Sequence, residues 1–195
     1  MTVKQLFEEM VNEDRIVKPS LLSQLSGLSS SDVGLVSTAW EKFEPNLRIE
    51  FLNLMVGMAE ENVELNFTPV FKLALKDGSP EVRETAIAGL WECEERSLLS
   101  IYINLLQRDP SEEVRSAAAL GLRKFVVLAE SRKLLTNDTT RVRETLMNIV
   151  NSSAESLNVK RRAIEALSPF SDEYIKELIR WAYKHESPKM RESAI

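Results

Sequence analysis

Asp77-Gly78-Ser79-Pro80-Glu81-Val82-Arg83-Glu84-Thr85-Ala86-Ile87-Ala88-Gly89-Leu90 holds a turn, a helix start and one apolar face in a single short stretch. Ser79 suits an N-cap, where a hydroxyl accepts a hydrogen bond from a free backbone N–H. Pro80 suits the first helical position, whose N–H has no intrahelical acceptor. At about 100° per residue, Val82, Arg83, Ala86, Ile87 and Leu90 share one arc, and Glu81, Glu84, Ala88 and Glu92 lie opposite. Gly89 flanks the arc, where a small residue lets a neighbouring helix come close.

The stretch recurs. Asp109-Pro110-Ser111-Glu112-Glu113-Val114-Arg115-Ser116-Ala117-Ala118-Ala119-Leu120-Gly121-Leu122 repeats it at an offset of 32. Ser156-Leu157-Asn158-Val159-Lys160-Arg161-Arg162-Ala163-Ile164-Glu165-Ala166-Leu167 follows at 45, and Ser187-Pro188-Lys189-Met190-Arg191-Glu192-Ser193-Ala194-Ile195 at 31. Another amphipathic segment precedes each copy: 67–75, 96–106, 141–150 and 172–183. Two antiparallel helices per repeat, burying apolar faces against their neighbours, predict an all-α fold of the α-solenoid type. The repeats are expected at about 67–92, 95–130, 138–168 and 171–195, the last one truncated at Ile195. The additional residues around 129–140 are expected to lengthen the preceding helix and form a loop.

Residues 1–66 fit the repeat poorly and are expected to form a divergent helical N-terminal cap. Its segments are 3–11, 19–25, 31–43 and the long amphipathic stretch 45–61. A cap covers the stacking face that an end repeat would expose.

Scarce residues exclude much chemistry. The 195-residue chain has one cysteine, Cys93, and one histidine, His185. An internal disulfide, a multi-cysteine zinc site and a multi-histidine metal site cannot be assembled from these. His185 lies in a His-Glu-Ser-Pro stretch that reads as a turn, where a solvated histidine outweighs a catalytic one. None of the six glycines falls at a phosphate-loop spacing. The acidic start carries no signal-peptide pattern and no run is apolar enough for a membrane helix, so a cytoplasmic protein without cofactor or metal is expected. Residues 1–66 carry 5 basic against 11 acidic side chains; residues 123–162 carry nine against four. A local basic excess can serve phosphate or an acidic protein surface.

The pattern D-x-x-x-x-V-R-x-x-A-(A/I)-x-(G/A)-L resembles the HEAT repeat, in the short bacterial form similar to the repeats of phycobilisome-lyase-like proteins. The resemblance covers about 64–195. It implies a curved stack whose second helices line the concave side, with a ladder between repeats formed by the turn Asp and the following Arg. Asp77 with Arg83, and Asp109 with Arg115, match that pair; the third copy has Ala154 and Lys160, and the fourth His185 and Arg191. The resemblance to lyases also implies handling of a linear tetrapyrrole, and some HEAT-like proteins bind duplex nucleic acid.

The expected function is a non-enzymatic protein–protein interaction scaffold using the concave face, for a protein or peptide partner. The alternatives are a nucleic-acid binder acting through 123–162 and a bilin-lyase-like module. The second-helix faces are expected to present Glu81, Glu84 and Glu92, then Glu113, Ser116, Leu120 and Lys124, then Asn158, Arg161 and Glu165. Trp91, Arg123, Lys124, Arg161, Glu84 and Glu92 are the candidate binding residues, with Trp91 and Arg123 as anchors. Trp40, Trp91 and Trp181 are each expected on a helix, with packing as the default role and Trp91 as the exception at a groove edge.

Overall fold

A computed structural model describes residues 19–194, and the expected helix at 3–11 lies outside the described residues. The fold is all-α, and no strand occurs among the described residues. No helix among them is long and apolar enough to cross a membrane. The chain divides into two compact units, Met1–Leu90 and Trp91–Ile195.

The first unit contains α1 (Pro19–Leu22), a 3₁₀ turn (Ser23–Leu25), α2 (Ser30–Trp40), α3 (Pro45–Glu61), α4 (Thr68–Ala74) and α5 (Pro80–Gly89). α2 packs on α4 and α3 packs on α5. First helices therefore stack on first helices, and second on second. The two helices of 30–61 thus continue the stacking of 68–89. Trp40, Phe51, Leu52, Met55, Val70, Phe71, Val82 and Ala86 are buried at its centre. The rings of Trp40 and Phe43 both meet that of Phe51, with centroids 6.3 Å and 5.1 Å apart. A Cβ built on Gly89 would lie 2.3 Å from the Phe71 ring, so the close approach read from the sequence is real.

The second unit contains α6 (Arg96–Arg108), α7 (Glu112–Gly121), α8 (Arg123–Glu130), α9 (Thr136–Asn151), α10 (Leu157–Leu167), α11 (Glu173–Tyr183) and α12 (Pro188–Glu192). α6 pairs with α7, α9 with α10, and α11 with α12, while α7 lies along α10 and α6 beside α9. The additional residues of the long spacing go into α8, a separate eight-residue helix, and into a first helix α9 of sixteen residues. Leu98, Leu99, Tyr102, Val114, Ala118, Phe125, Val142, Leu146, Val159 and Ile164 form the buried centre.

Caps follow the sequence closely. Ser79, Ser111 and Ser156 each accept a bond from the N–H three residues on. Ser187 precedes α12 without such a bond.

Candidate functional site

The turns before α5, α7 and α12 are each built around one arginine. Arg115 Nη1 donates to the carbonyls of Asp109 and Pro110, at 2.9 and 3.1 Å. Arg83 Nη1 does the same to Asp77 and Gly78, at 2.8 and 3.1 Å, and Arg191 Nη1 to His185 and Glu186, at 2.9 and 2.8 Å. These carbonyls cannot join the helix that follows, and a guanidinium fork satisfies two of them at once. A side-chain acceptor completes each turn by binding the N–H two residues on. Asp77 Oδ1 serves Ser79 at 2.9 Å, Asp109 Oδ1 serves Ser111 at 3.0 Å, and His185 Nδ1 serves Ser187 at 3.0 Å. His185 is therefore a turn acceptor standing where two copies have aspartate.

The arginines of the expected ladder bind the backbone of their own turns as well. Arg83 reaches the backbone of Asp77 rather than closing a carboxylate pair with it in that bond, and Arg115 treats Asp109 likewise. The Asp77 carboxylate instead accepts Trp40 Nε1 at 2.7 Å and pairs with Arg48 of α3. Arg115 Nε and Nη2 reach forward to both oxygens of Glu155, each at 3.1 Å. Glu155 also caps Ser156 N–H at 2.8 Å. The third copy therefore keeps its acid one residue later and one methylene longer, and the rung persists where Ala154 suggested a gap. Glu155 holds the Arg115 guanidinium above its ordinary pKa through their hydrogen bonds. Arg48 and Glu155 were both missed in the sequence. The signal for Arg48 was present: Pro45-Asn46-Leu47-Arg48 repeats the Pro-x-apolar-Arg order of Pro80–Arg83 and Pro188–Arg191.

Among the candidate binding residues, Glu84 lies on α5 in the first unit and is exposed. The others lie in the second unit. Trp91 and Glu92 sit in the turn after α5 rather than on a helix, both exposed, Trp91 at 61%. Lys124 is half-buried at the start of α8, its Nζ 5.1 Å from the Tyr102 ring centre and 5.7 Å from that of Phe125. Burial pushes its pKa down to about 8, and Cys93 and Glu94 in the Trp91 turn act in the opposite direction. Beside it, the Tyr102 hydroxyl is buried without a hydrogen-bond partner among the described residues, and burial raises its pKa far above the ordinary value.

Arg123 is exposed, yet Nη1 donates to the Glu165 carbonyl at 2.8 Å and the Ser168 hydroxyl at 2.7 Å. It thus neutralises the carboxyl end of α10, where a cation is favoured. Arg161 donates to Asn158 at 2.8 Å, Glu165 at 3.2 Å and Ser193 at 3.3 Å. Arg162 meets the other Glu165 oxygen at 2.6 Å. Two arginines converge on the Glu165 carboxylate and a third on its backbone carbonyl, leaving a basic strip whose side chains are partly immobilised. Ser116, expected on the presented face, is buried. Leu120 is 36% exposed and Leu157 42%, so the strip carries apolar spots. Of the tryptophans, Trp40 is packed as expected, whereas Trp181 is 51% exposed.

Residues 68–150 match the family model described as HEAT repeats. Among solved structures, the chain is similar to one described as the structure of the complex of CpcE and CpcF of phycocyanin lyase from Nostoc sp. PCC7120. The TM-score is 0.57 at 17% identity, over 85% of this chain and 97% of that one. At that identity the likeness is one of fold. No curated protein matches the sequence.

Proposed function

On the premise that this chain belongs to the HEAT-repeat family, we propose that it is a non-catalytic scaffold that holds a protein or peptide on the second-helix side of residues 91–195. One observation carries the reading. The turn that displays Trp91 also brings Cys93 and Glu94 within electrostatic reach of Lys124, which adjoins Arg123 and the basic strip of α10. An exposed indole in a turn that approaches Lys124, with exposed guanidinium groups elsewhere in the same unit, suits an interface anchor with a polar rim. Guanidinium nitrogens of Arg123 and Arg162 that make no bond among the described residues remain available for carboxylates of a partner. That the structural neighbour comes from a complex of two proteins is consistent with this reading.

Affinity capture from an extract of the native host, comparing wild type with Trp91→Ala and Arg162→Ala, tests the proposal. Each variant is expected to retain the captured protein at least about tenfold more weakly, at unchanged helicity. Arg123→Ala is a poorer probe, because it also uncaps α10. Equal capture by both variants would place the partner elsewhere. Retention of nucleic acid alone, falling steeply with salt, would favour the nucleic-acid alternative.

A further inference from the structure

Lys124 stands where three parts of the second unit meet: the turn before α6, α6 itself and α8. Its Nζ lies 5.1 Å from the Tyr102 ring centre and 5.7 Å from that of Phe125, and both of those side chains are fully buried. The half-buried amine therefore rests on an apolar floor. Burial penalises its ammonium form, so more of it is neutral than of a solvated lysine, and the neutral amine is the nucleophile.

Two neighbours complete the constellation. Cys93 is half-buried in the turn before α6 and interacts electrostatically with both the Lys124 amine and the Tyr102 hydroxyl. A cysteine thiolate is intrinsically a strong nucleophile, and it attacks a thioester carbonyl more readily than an amine does. Tyr102 is wholly buried, and its hydroxyl has no hydrogen-bond partner among the described residues. A buried polar group left unpaired is costly, and this one lacks an acceptor. Lys124 Nζ is already packed on the Tyr102 ring, so an acyl group carried there brings a carbonyl oxygen to that hydroxyl. The same group removes a charge that burial disfavours, while the aliphatic stem keeps its packing.

We propose that Lys124 is an acylation site, loaded from a small acyl thioester by way of Cys93, with the Tyr102 hydroxyl holding the acyl oxygen. In the first step the Cys93 thiolate attacks the thioester carbonyl. The donor's C–S bond breaks, and the departing thiolate takes up the proton that Cys93 gave away. In the second step the neutral Lys124 amine attacks the Cys93 thioester. A C–N bond forms, the C–S bond to Cys93 breaks, and the proton shed by nitrogen returns to the Cys93 thiolate. The products are an acyl-lysine, a free donor thiol and the original cysteine, with no change of oxidation state. Holding donor and acceptor in one corner makes the second step intramolecular, which raises its rate over acylation from solution.

The test incubates the full chain with acetyl-coenzyme A and follows each acetylated lysine by quantitative peptide mass spectrometry. Lys124 is expected to react at least about tenfold faster than the exposed Lys76, Lys133 and Lys184. Cys93→Ser slows Lys124 at least about tenfold and leaves those three unchanged. Cys93 is the single cysteine of the chain, so blocking it with methyl methanethiosulfonate repeats this result without a substitution. Tyr102→Phe keeps the ring and slows Lys124 roughly tenfold or more, because the acyl oxygen loses its donor. Circular dichroism checks that each variant retains its helicity. A Lys124 that reacts no faster than the exposed lysines overturns the proposal, as does a rate indifferent to both Cys93→Ser and the blocked thiol. A rate unmoved by Tyr102→Phe overturns the part given to the hydroxyl. The measurement involves no partner protein, so its failure is distinct from failure of the scaffold reading.

Discussion

The rung between Arg115 and Glu155 allows a quantitative test of how the repeats are joined. Arg115 makes two charge-assisted bonds to Glu155 and two to turn carbonyls. Its side chain is 21% exposed and that of Glu155 11%. At these separations a pair near a protein surface gains about 4 kcal/mol of Coulomb energy. Desolvation consumes much of that, leaving a coupling of about 1–2 kcal/mol. Arg115→Ala also strands two turn carbonyls and removes stem packing, for a total loss of about 2–4 kcal/mol. With a urea slope of about 2 kcal/mol per molar, the midpoint falls by roughly 1–2 M. The coupling is isolated by a double-mutant cycle of Arg115→Met and Glu155→Gln, in which Met keeps the apolar stem. Urea unfolding is followed by far-ultraviolet circular dichroism, with the slope checked for constancy across the four proteins. A coupling below about 0.4 kcal/mol would be indistinguishable from additivity and would refute the rung. Lys160→Ala serves as the internal comparison. Lys160 occupies the Arg115 position of the third copy, and its loss is expected to cost under about 0.5 kcal/mol.

Lys124→Met should flatten the pH dependence of stability between about pH 8 and 9.5. With a folded pKa of about 8 against the ordinary 10.5, the native state sheds its proton before the unfolded chain does. Stability from this group therefore rises with pH across that window, by up to about 3 kcal/mol when complete. Parallel urea midpoints for wild type and variant at pH 7 and pH 9.5 would contradict the burial of this ammonium. Gly89→Ala drives a methyl into the buried Phe71 ring and should cost about 1–3 kcal/mol, measured as a lowered thermal midpoint. Trp40→Phe keeps the ring but removes the indole donor to Asp77; a loss of about 1–2 kcal/mol in urea unfolding is expected.

Local chemistry made the repeat legible. Capping serines, first-turn prolines and a recurring apolar arc depend on residues within one helical turn of each other, so Ser79–Leu90 could be read without knowing its neighbours. The same locality explains the errors. Trp181 looks like a helix-core residue by composition, but its exposure depends on what packs against it. Ser116 reads as outward-facing on the helical wheel, yet the packed structure buries it. The Asp–Arg pairs were visible as spacing, yet a guanidinium can choose among carbonyls and carboxylates that lie six residues away in its own turn or forty residues away in the next repeat. That choice is made by the stacking distance between hairpins. Glu155 could become the partner of Arg115 only because the added residues of α8 and α9 still return the third turn to the position where an acid is needed. The sequence by itself determined the helices, their caps and the faces they bury, because these follow from periodicity. The tertiary structure alone decided which charges meet, which aromatic rings stay open and where the basic strip is held, because these depend on distances between helices that no single helix encodes.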